Sequence, residues 1–461
     1  MNKKVLIIGA GPGGYVAAIR AARLGGEVTV VEKAEVGGTC LNWGCIPTKS
    51  LLQSAKLFKM VQETRKFGVY CGDWSFRFDK MVEAKNKIVS TQANGIKSLF
   101  RKNKIRFIKG KGSLRGPRTV EVQGEDGQIL TESADAIILA TGSEALIPSF
   151  VPRVGDRIIT TTEALDLDEC PKRIAIIGGS VAGCEFASLF NTLGSKVTMV
   201  EMLPGILPLE DQEVSDHLTY RMQKAGIEIL TGRRVTALER EYPSGAVIVK
   251  VDQSDNIKAD YCLLALGRKL CTEGLGLENV GIRYSAKGIE VNERTETNVP
   301  GIYAIGDVTG TLLLAHWASA QGVVAAENAL GQSTRLDADA VPSCIFSVPE
   351  IASVGLSEGE ARKRGMAVKV GKMAFRFNGM ANALMETDGF IKVVVDEKEG
   401  RIVGVHIIGP HASDLISEGT LAVKKKMAIA EMKEIIHAHP TLSETMQEAI
   451  FSSAGMAIHA M

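Results

Sequence analysis

The chain has 461 residues, 45% of them hydrophobic and 23% charged, which suits about three domains with large cores and excludes a disordered chain. Its formal net charge of +1 argues against nucleic acid or an anionic membrane as main partner. Of eight cysteines only Cys40 and Cys45 are closely spaced, and no zinc-type spacing occurs, so no metal site is expected.

The N-terminal Asn2-Lys3-Lys4-Val5-Leu6-Ile7-Ile8 has the outline of a short signal peptide, but a glycine run and then Arg20 and Arg23 follow. It reads better as a buried strand entering a glycine turn. No apolar run is long enough to span a membrane. An intracellular, cytoplasmic protein is expected.

Residues 4–8 predict a buried strand, Gly9-x-Gly11-x-x-Gly14 a tight turn, residues 15–24 a helix and residues 28–31 a second strand ending at Glu32. Such a βαβ unit sets a pyrophosphate on a helix N-terminus, where free N–H groups and the helix dipole favour an anion. Glu32 stands where a carboxylate accepts hydrogen bonds from ribose hydroxyls.

Next comes Gly37-Gly38-Thr39-Cys40-Leu41-Asn42-Trp43-Gly44-Cys45-Ile46-Pro47-Thr48-Lys49. Residues five apart in an ideal helix have Cα atoms about 8.7 Å apart, whereas a disulfide wants roughly 4.4–6.8 Å. A bonded pair therefore needs a bend, and Gly44 and Pro47 suit a distorted helix entry. In a reducing compartment a close pair points to redox catalysis or metal binding; two thiols packing a junction are the plain alternative. Lys49 would lie one turn past Cys45, where a cation favours a thiolate or a reduced flavin; otherwise it is a solvated lysine.

Helices are predicted over 56–67 and 80–101, and a buried strand over 136–139 ending in Ala140-Thr141-Gly142. The βαβ unit then recurs. Ile174-Ala175-Ile176-Ile177 leads into Gly178-Gly179-Ser180-Val181-Ala182-Gly183, and Glu201 follows Gly178 at the spacing that separates Glu32 from Gly9. Two units with one spacing imply two dinucleotide sites, unless one is a purely structural layer. Ser180 replaces the middle glycine, which normally lets the backbone approach the pyrophosphate; its hydroxyl is either tolerated or bonds a phosphate. Glu201-Met202-Leu203-Pro204-Gly205 offers no cation for a ribose phosphate, so NAD is expected over NADP.

Residues 261–266 predict a strand before Gly267-Arg268, residues 302–305 another before Gly306-Asp307, and residues 315–330 a helix. Ligands gather at such strand ends in open α/β sheets. Beyond about residue 337 the pattern changes to a hairpin over 390–395 and 402–408, then helices over 415–426, 429–436 and 443–458. The expected fold class is α/β, with two Rossmann-like dinucleotide-binding domains and a C-terminal α+β interface domain. The expected divisions are 1–148, 149–269, 270–336 (a segment completing the first site) and 337–461.

A thiol reaction needs a base. His439 in His437-Ala438-His439-Pro440-Thr441-Leu442-Ser443-Glu444 is the pointed candidate, with Glu444 to orient it. Thr441-x-x-Glu444 also fits a capping box opening the last helix. A metal site on His437 and His439 lacks further ligands nearby.

With these motifs the chain resembles the dihydrolipoyl dehydrogenases, flavoprotein disulfide reductases of the pyridine nucleotide-disulfide oxidoreductase family, from Lys4 to about Ala454. The resemblance implies that the first βαβ unit holds FAD, with Gly9, Gly11, Gly14, Glu32, Lys33, Gly38, Thr39, Lys49, Thr141, Gly142, Gly306, Asp307, Ala315 and His316 at that site. It implies that Gly178, Ser180, Gly183, Glu201 and Gly267 hold NAD. Cys45 would face the flavin and Cys40 would exchange with substrate. Lys49 would pair with Glu185, and His439 with Glu444 would be the acid–base of a partner subunit in a homodimer. A lipoylated protein of a 2-oxo acid dehydrogenase or glycine-cleavage complex would be the partner.

Two departures stand out. Lys269-Leu270-Cys271 follow Arg268 where many relatives carry Pro-Asn, which is expected to touch NAD affinity. Gln321 replaces an acid in the helix after Ala315-His316. Rival readings are a glutathione reductase, which wants cations near Glu201; a mercuric reductase, which wants a C-terminal cysteine pair; and a non-catalytic flavin-binding subunit.

Overall fold

The computed structural model describes residues 2–241 and 245–459; the expected outer limits 1 and 461 lie outside them. Val5, Leu6, Ile7 and Ile8 are all buried in the strand Lys4–Ile8, as suits a central parallel strand covered on both faces. The chain turns at Gly9 into helix α1 (Pro12–Arg23), with Pro12 in the first turn, where a missing N–H costs nothing. It returns as the strand Glu27–Glu32, parallel to the first.

Helix α2 (Gly38–Asn42) and helix α3 (Cys45–Glu63) follow, broken apart at Trp43 and Gly44. Helix α3 thus opens at Cys45, well before residue 56: Pro47 sits in a first turn that tolerates it, and Thr48 bonds back to the Gly44 carbonyl through both its N–H and its hydroxyl. Helix α4 (Phe78–Lys102) runs back across α3. The five-stranded parallel sheet has the order Ile302–Ala304, Ala136–Leu139, Lys4–Ile8, Glu27–Glu32, Arg106–Lys109. Its first strand arrives from far along the chain, together with helix α7 (Ala315–Ala329), which packs on α1.

The excursion between holds a second parallel sheet, in the order Glu228–Thr231, Lys196–Glu201, Arg173–Ile177, Tyr261–Leu264, Ile158–Thr160. Helix α5 (Val181–Thr192) and helix α6 (Gln212–Lys224) cover one face of it. The strand Tyr261–Leu264 stops two residues before the expected end, where the backbone turns into the loop at Ala265.

The C-terminal part is an antiparallel sheet in the order Ser343–Ile345, Glu350–Gly355, Ile402–Gly409, Phe390–Asp396, Val368–Ala374. Helix α8 (Glu358–Lys363) and helix α9 (Gly379–Leu384) lie at its margins, and helix α10 (Ala412–Lys424) packs on it. Helix α11 (Ile429–Met432) ends four residues short of its expected limit: Ile435 and Ile436 are exposed, so no apolar contact extends the helix. Helix α12 (Glu444–Ser452) ends six residues short of the expected 458, where Ser453 bonds back to Ile450 and Gly455 takes a left-handed conformation.

One buried cluster ties the second unit to this last sheet. Lys392 and Asp211 are each 2% exposed, with Nζ 3.0 Å from Asp211 Oδ1 and 2.9 Å from Glu358 Oε2. Asp211 is also the N-cap of α6, accepting from the Glu213 N–H.

Candidate active site

The two glycine turns are built alike. A Cβ on Gly9 would lie 2.2 Å from the Ala140 oxygen, and one on Gly178 2.3 Å from the Ala265 oxygen. A Cβ on Gly14 or on Gly183 would lie 2.0 Å from the oxygen of Gly9 or Gly178. These clashes involve backbone, so only glycine lets helix and strand approach so closely. At Gly11 a Cβ would meet only the Gly38 Cα, at 3.9 Å, so the middle position is open toward the cleft.

The acids repeat the likeness. Glu32 accepts from the N–H groups of Ala10 and Ala34, each at 2.7 Å. Glu201 accepts from Gly179 at 2.6 Å and Leu203 at 2.7 Å. Each carboxylate fastens its glycine turn to the end of the second strand and keeps further lone pairs for a ligand. Ser180, the N-cap of α5, donates to the Ala265 oxygen at 3.1 Å, so its hydroxyl is engaged with the neighbouring strand end. The Arg233 backbone N–H bonds the Glu201 carbonyl oxygen at 3.1 Å, and the Arg233 guanidinium turns to Gln253 at 3.4 Å.

A cleft of about 510 Å3 runs across the first unit, a size typical of ligand sites. Gly9, Gly11, Glu32, Lys33, Gly38, Thr39, Cys40, Cys45, Thr141, Gly142, Gly306, Asp307 and Ala315 line it. Gly14, Lys49 and His316 are outside that lining, and the His316 Nε2 meets the Pro342 oxygen at 2.8 Å. Ser143 and Arg268 were not foreseen there. Arg268 donates to Ser143 Oγ at 2.5 Å and to the Ser143 oxygen at 2.6 Å, and Ser143 donates to Asp307. No local pattern announces this chain of contacts, because a short antiparallel pairing of Ser143–Ala145 with Arg268–Leu270 makes it.

The two departures also find their places. Cys271 lines this first cleft, its oxygen accepting from the Thr141 hydroxyl at 2.8 Å. Gln321, 2% exposed, accepts from the Gly306 N–H at 2.6 Å and so fixes the turn that carries Asp307.

At the floor of the cleft the redox candidates meet. Gly38 (φ +60°) approaches Gly11 so closely that a Cβ would lie 2.6 Å from the Gly11 Cα, which seats α2 against the phosphate turn. Cys40 on α2 and Cys45 at the start of α3 are both thiols, hydrogen-bonded to each other. The hydrogen bond from Cys40 outweighs burial and, helped by the Lys49 charge, lowers Cys45 to about 7. The same bond and burial push Cys40 up, so it keeps its proton. The pair is thus divided into a thiol that ionises first, Cys45, and one that keeps its proton, Cys40. Lys49, one turn along α3, has Nζ 2.8 and 2.9 Å from the two Glu185 oxygens, and Glu185 is buried on α5.

His439 lies apart, with its side chain 78% exposed and Nδ1 2.9 Å from Glu444 Oε1. Burial would raise the Glu444 carboxyl, but the Thr441 N–H and His439 together hold it below the ordinary carboxylate range. The expected capping box is only half made. Glu444 accepts from the Thr441 N–H, but Ser443 is the N-cap and the Thr441 hydroxyl donates to Ala438. His437 is separate, 2.7 Å from Glu418, whose carboxylate raises its pKa. Among the described residues, no group of three or more His, Cys, Asp or Glu is placed to hold a metal ion.

Residues 3–322 match the family model described as pyridine nucleotide-disulphide oxidoreductase, and residues 341–450 match its dimerisation domain. The chain belongs to the pyridine nucleotide-disulphide oxidoreductases. This oxidoreductase is 43% identical to a dihydrolipoyl dehydrogenase of Chlamydia muridarum over 98% of its own length and 97% of that protein's. It is 40% identical to one of Bacillus subtilis, over 98% and 99%. Among solved structures, LpdA of Mycobacterium tuberculosis superposes with a TM-score of 0.91 at 27% identity, covering 97% of this chain and 99% of that one. The HOCl-induced flavoprotein disulfide reductase RclA of Escherichia coli gives 0.86, also at 27% identity, covering 97% and 99%. Like its family, the oxidoreductase uses FAD and NAD(H). The open position at Gly11, the free N-terminus of α1 and the acids Glu32 and Asp307 in one cleft suit FAD; the matched turn with Glu201 suits NAD. The dimerisation domain supports a homodimer. No helix of the described residues is long and apolar enough to cross a membrane.

Proposed function

We propose that this oxidoreductase converts protein-bound dihydrolipoamide to lipoamide with reduction of NAD, through the pair Cys40 and Cys45. The two hydrogen-bonded cysteines beside the Lys49–Glu185 ion pair carry the reading, and full-length relatives named dihydrolipoyl dehydrogenase support the substrate. The lipoylated protein would come from a 2-oxo acid dehydrogenase or glycine-cleavage complex in the cytoplasm.

His439 of one subunit, steadied through Nδ1 by Glu444, takes a proton at Nε2 from a substrate thiol. The resulting thiolate attacks Cys40 Sγ of the disulfide form and the Cys40–Cys45 bond breaks. Cys45 leaves as thiolate, which its lowered pKa favours, since a thiol of lower pKa leaves faster. The second substrate thiol then attacks the sulfur bonded to Cys40, closing lipoamide's disulfide, and its proton passes to Cys40 as Cys40 leaves. One substrate disulfide forms for each enzyme disulfide broken. Lys49, held by both Glu185 oxygens, stands near Cys45 as the thiolate forms. FAD in the cleft, with NAD at the second site, supplies the two-electron oxidation that restores the disulfide.

The exposure of His439 suits service to the partner subunit of a homodimer, where its base would be shielded from water. On this reading residues 1–148 and 270–336 hold FAD, residues 149–269 hold NAD and residues 337–461 form the interface.

NADH- against NADPH-dependent reduction of lipoamide and of glutathione disulfide tests the proposal. Lipoamide with NADH is expected to be the preferred pair by far. A preference for glutathione disulfide or for NADPH overturns it, and no turnover with FAD bound favours a non-catalytic flavin-binding subunit.

A further inference from the structure

Phe346 follows the edge strand Ser343–Ile345 of the C-terminal sheet, far along the chain from the glycine turns. Its backbone N–H donates to Glu185 Oε1 at 3.0 Å, the oxygen that also takes Lys49 Nζ at 2.8 Å. Its ring lies under the same ammonium, with Nζ 4.8 Å from the ring centroid. Two residues on, the Val348 N–H reaches Ser188 Oγ at 3.3 Å, three positions after Glu185 on α5. The segment is thus strapped along α5 at two successive points.

Lys49 sits among three structural units: α3 carries it, α5 supplies its carboxylate and the C-terminal sheet supplies the aromatic face. Its charged and titratable neighbours are Glu185 on α5, Cys40 on α2, Cys45 on α3 and Cys344 on the edge strand. An ammonium over an aromatic face gains electrostatic attraction from the ring quadrupole, more so when shielded from water. The N–H to Glu185 removes one of the carboxylate's freedoms to turn away. Glu185 alone could hold Lys49 in several poses; ring and N–H together select one.

We propose that Phe346 is a positioning residue for the redox centre: its ring and its backbone N–H fix the Lys49–Glu185 pair against Cys45 and so link the dimerisation domain to the reacting thiols. The inference rests on the redox reading of Cys45 above. Replacing the ring by an aliphatic side chain leaves the N–H but frees the ammonium to tilt toward water, so the Cys45 thiolate loses part of its counter-charge. Thiolate stabilisation lost in this way raises the pH at which Cys45 ionises.

The test uses full-length, FAD-loaded dimer, reduced without oxygen, and measures the rate of iodoacetamide alkylation at Cys45 against pH by mass spectrometry. In Phe346→Leu the midpoint of that profile is expected to rise by roughly half a unit to one unit, a loss of about 3- to 10-fold in Cys45 thiolate well below the midpoint, with the thermal midpoint near that of the wild type. Phe346→Tyr keeps the ring and is expected to restore the wild-type profile. Phe346→Met makes the same comparison if the leucine variant does not fold. A folded leucine or methionine variant whose profile superimposes on the wild type overturns the positioning role. A wild-type profile with no ionisation near neutral pH instead sinks the redox reading of Cys45, so the two failures are distinct.

Discussion

At the scale of single residues, the site works by splitting two identical side chains. Cys40 donates a hydrogen bond and stays protonated; Cys45 accepts it and ionises near 7. The sign follows directly. Below pH 7 Cys45 is a thiol, and above it a thiolate held by Cys40 and Lys49. Reoxidation of the reduced enzyme by NAD, which draws on the Cys45 thiolate, is expected to slow as pH falls through 7, measured by stopped flow. Cys45→Ser is expected to abolish lipoamide turnover while FAD stays bound. His439→Gln is expected to lose about 10²–10⁴-fold in kcat, the usual contribution of an acid–base group, with little change in thermal midpoint; a loss of stability at normal turnover would mean that His439 only shapes the loop before α12. The motifs were legible at this scale because Cys40, Cys45, Lys49, His439 and Glu444 lie in two short contiguous stretches. Ser143, Arg268 and Phe346 were not, because each acts through a partner more than a hundred residues away.

At the scale of elements, the repeated βαβ units were readable because spacing alone carries them: glycine, glycine and acid recur at equal intervals, and the same backbone contacts recur with them. Substituting Gly14 by valine puts carbon where the Gly9 oxygen stands, so the purified protein is expected to lack FAD, read from its visible absorbance. Ser180 is gentler. Its side chain has room and bonds Ala265, so Ser180→Gly is expected to change the KM for NAD by less than about threefold, whereas a loss of NAD binding would show that the hydroxyl holds the cofactor. Helix limits were the least legible. The stretch 429–436 carries a helical apolar pattern, yet Ile436 is 95% exposed, so the pattern does not mark a face packed within this chain. The entry of helix α3 was legible in Gly44 and Pro47, but its continuity from Cys45 into the stretch expected from residue 56 was not.

At the scale of the whole molecule, the chain builds the first sheet, departs for the second, and returns to finish the first. Sequence order shows the two units, while the return of 270–336 to the first site is expected only from the resemblance, since nothing in the strand Ile302–Ala304 itself says which sheet it joins. The buried cluster of Lys392, Asp211 and Glu358 was equally invisible, being made of charges that look solvent-bound in sequence. Removing one partner of such a cluster leaves an uncompensated buried charge, so Lys392→Met is expected to cost roughly 3–5 kcal/mol in denaturant unfolding. That loss is expected without any change in the pH dependence of Cys45, which separates the scaffold from the chemistry.

The relay from substrate to thiols to NAD is tested most directly by trapping the cysteines in mid-course. FAD-loaded enzyme is mixed without oxygen with dihydrolipoamide, then quenched with an alkylating reagent and mapped. Cys40 and Cys45 are expected to be labelled after substrate alone and to be protected again when excess NAD is added before the quench. Labelling of the two cysteines that is unchanged by substrate or by NAD would contradict the account.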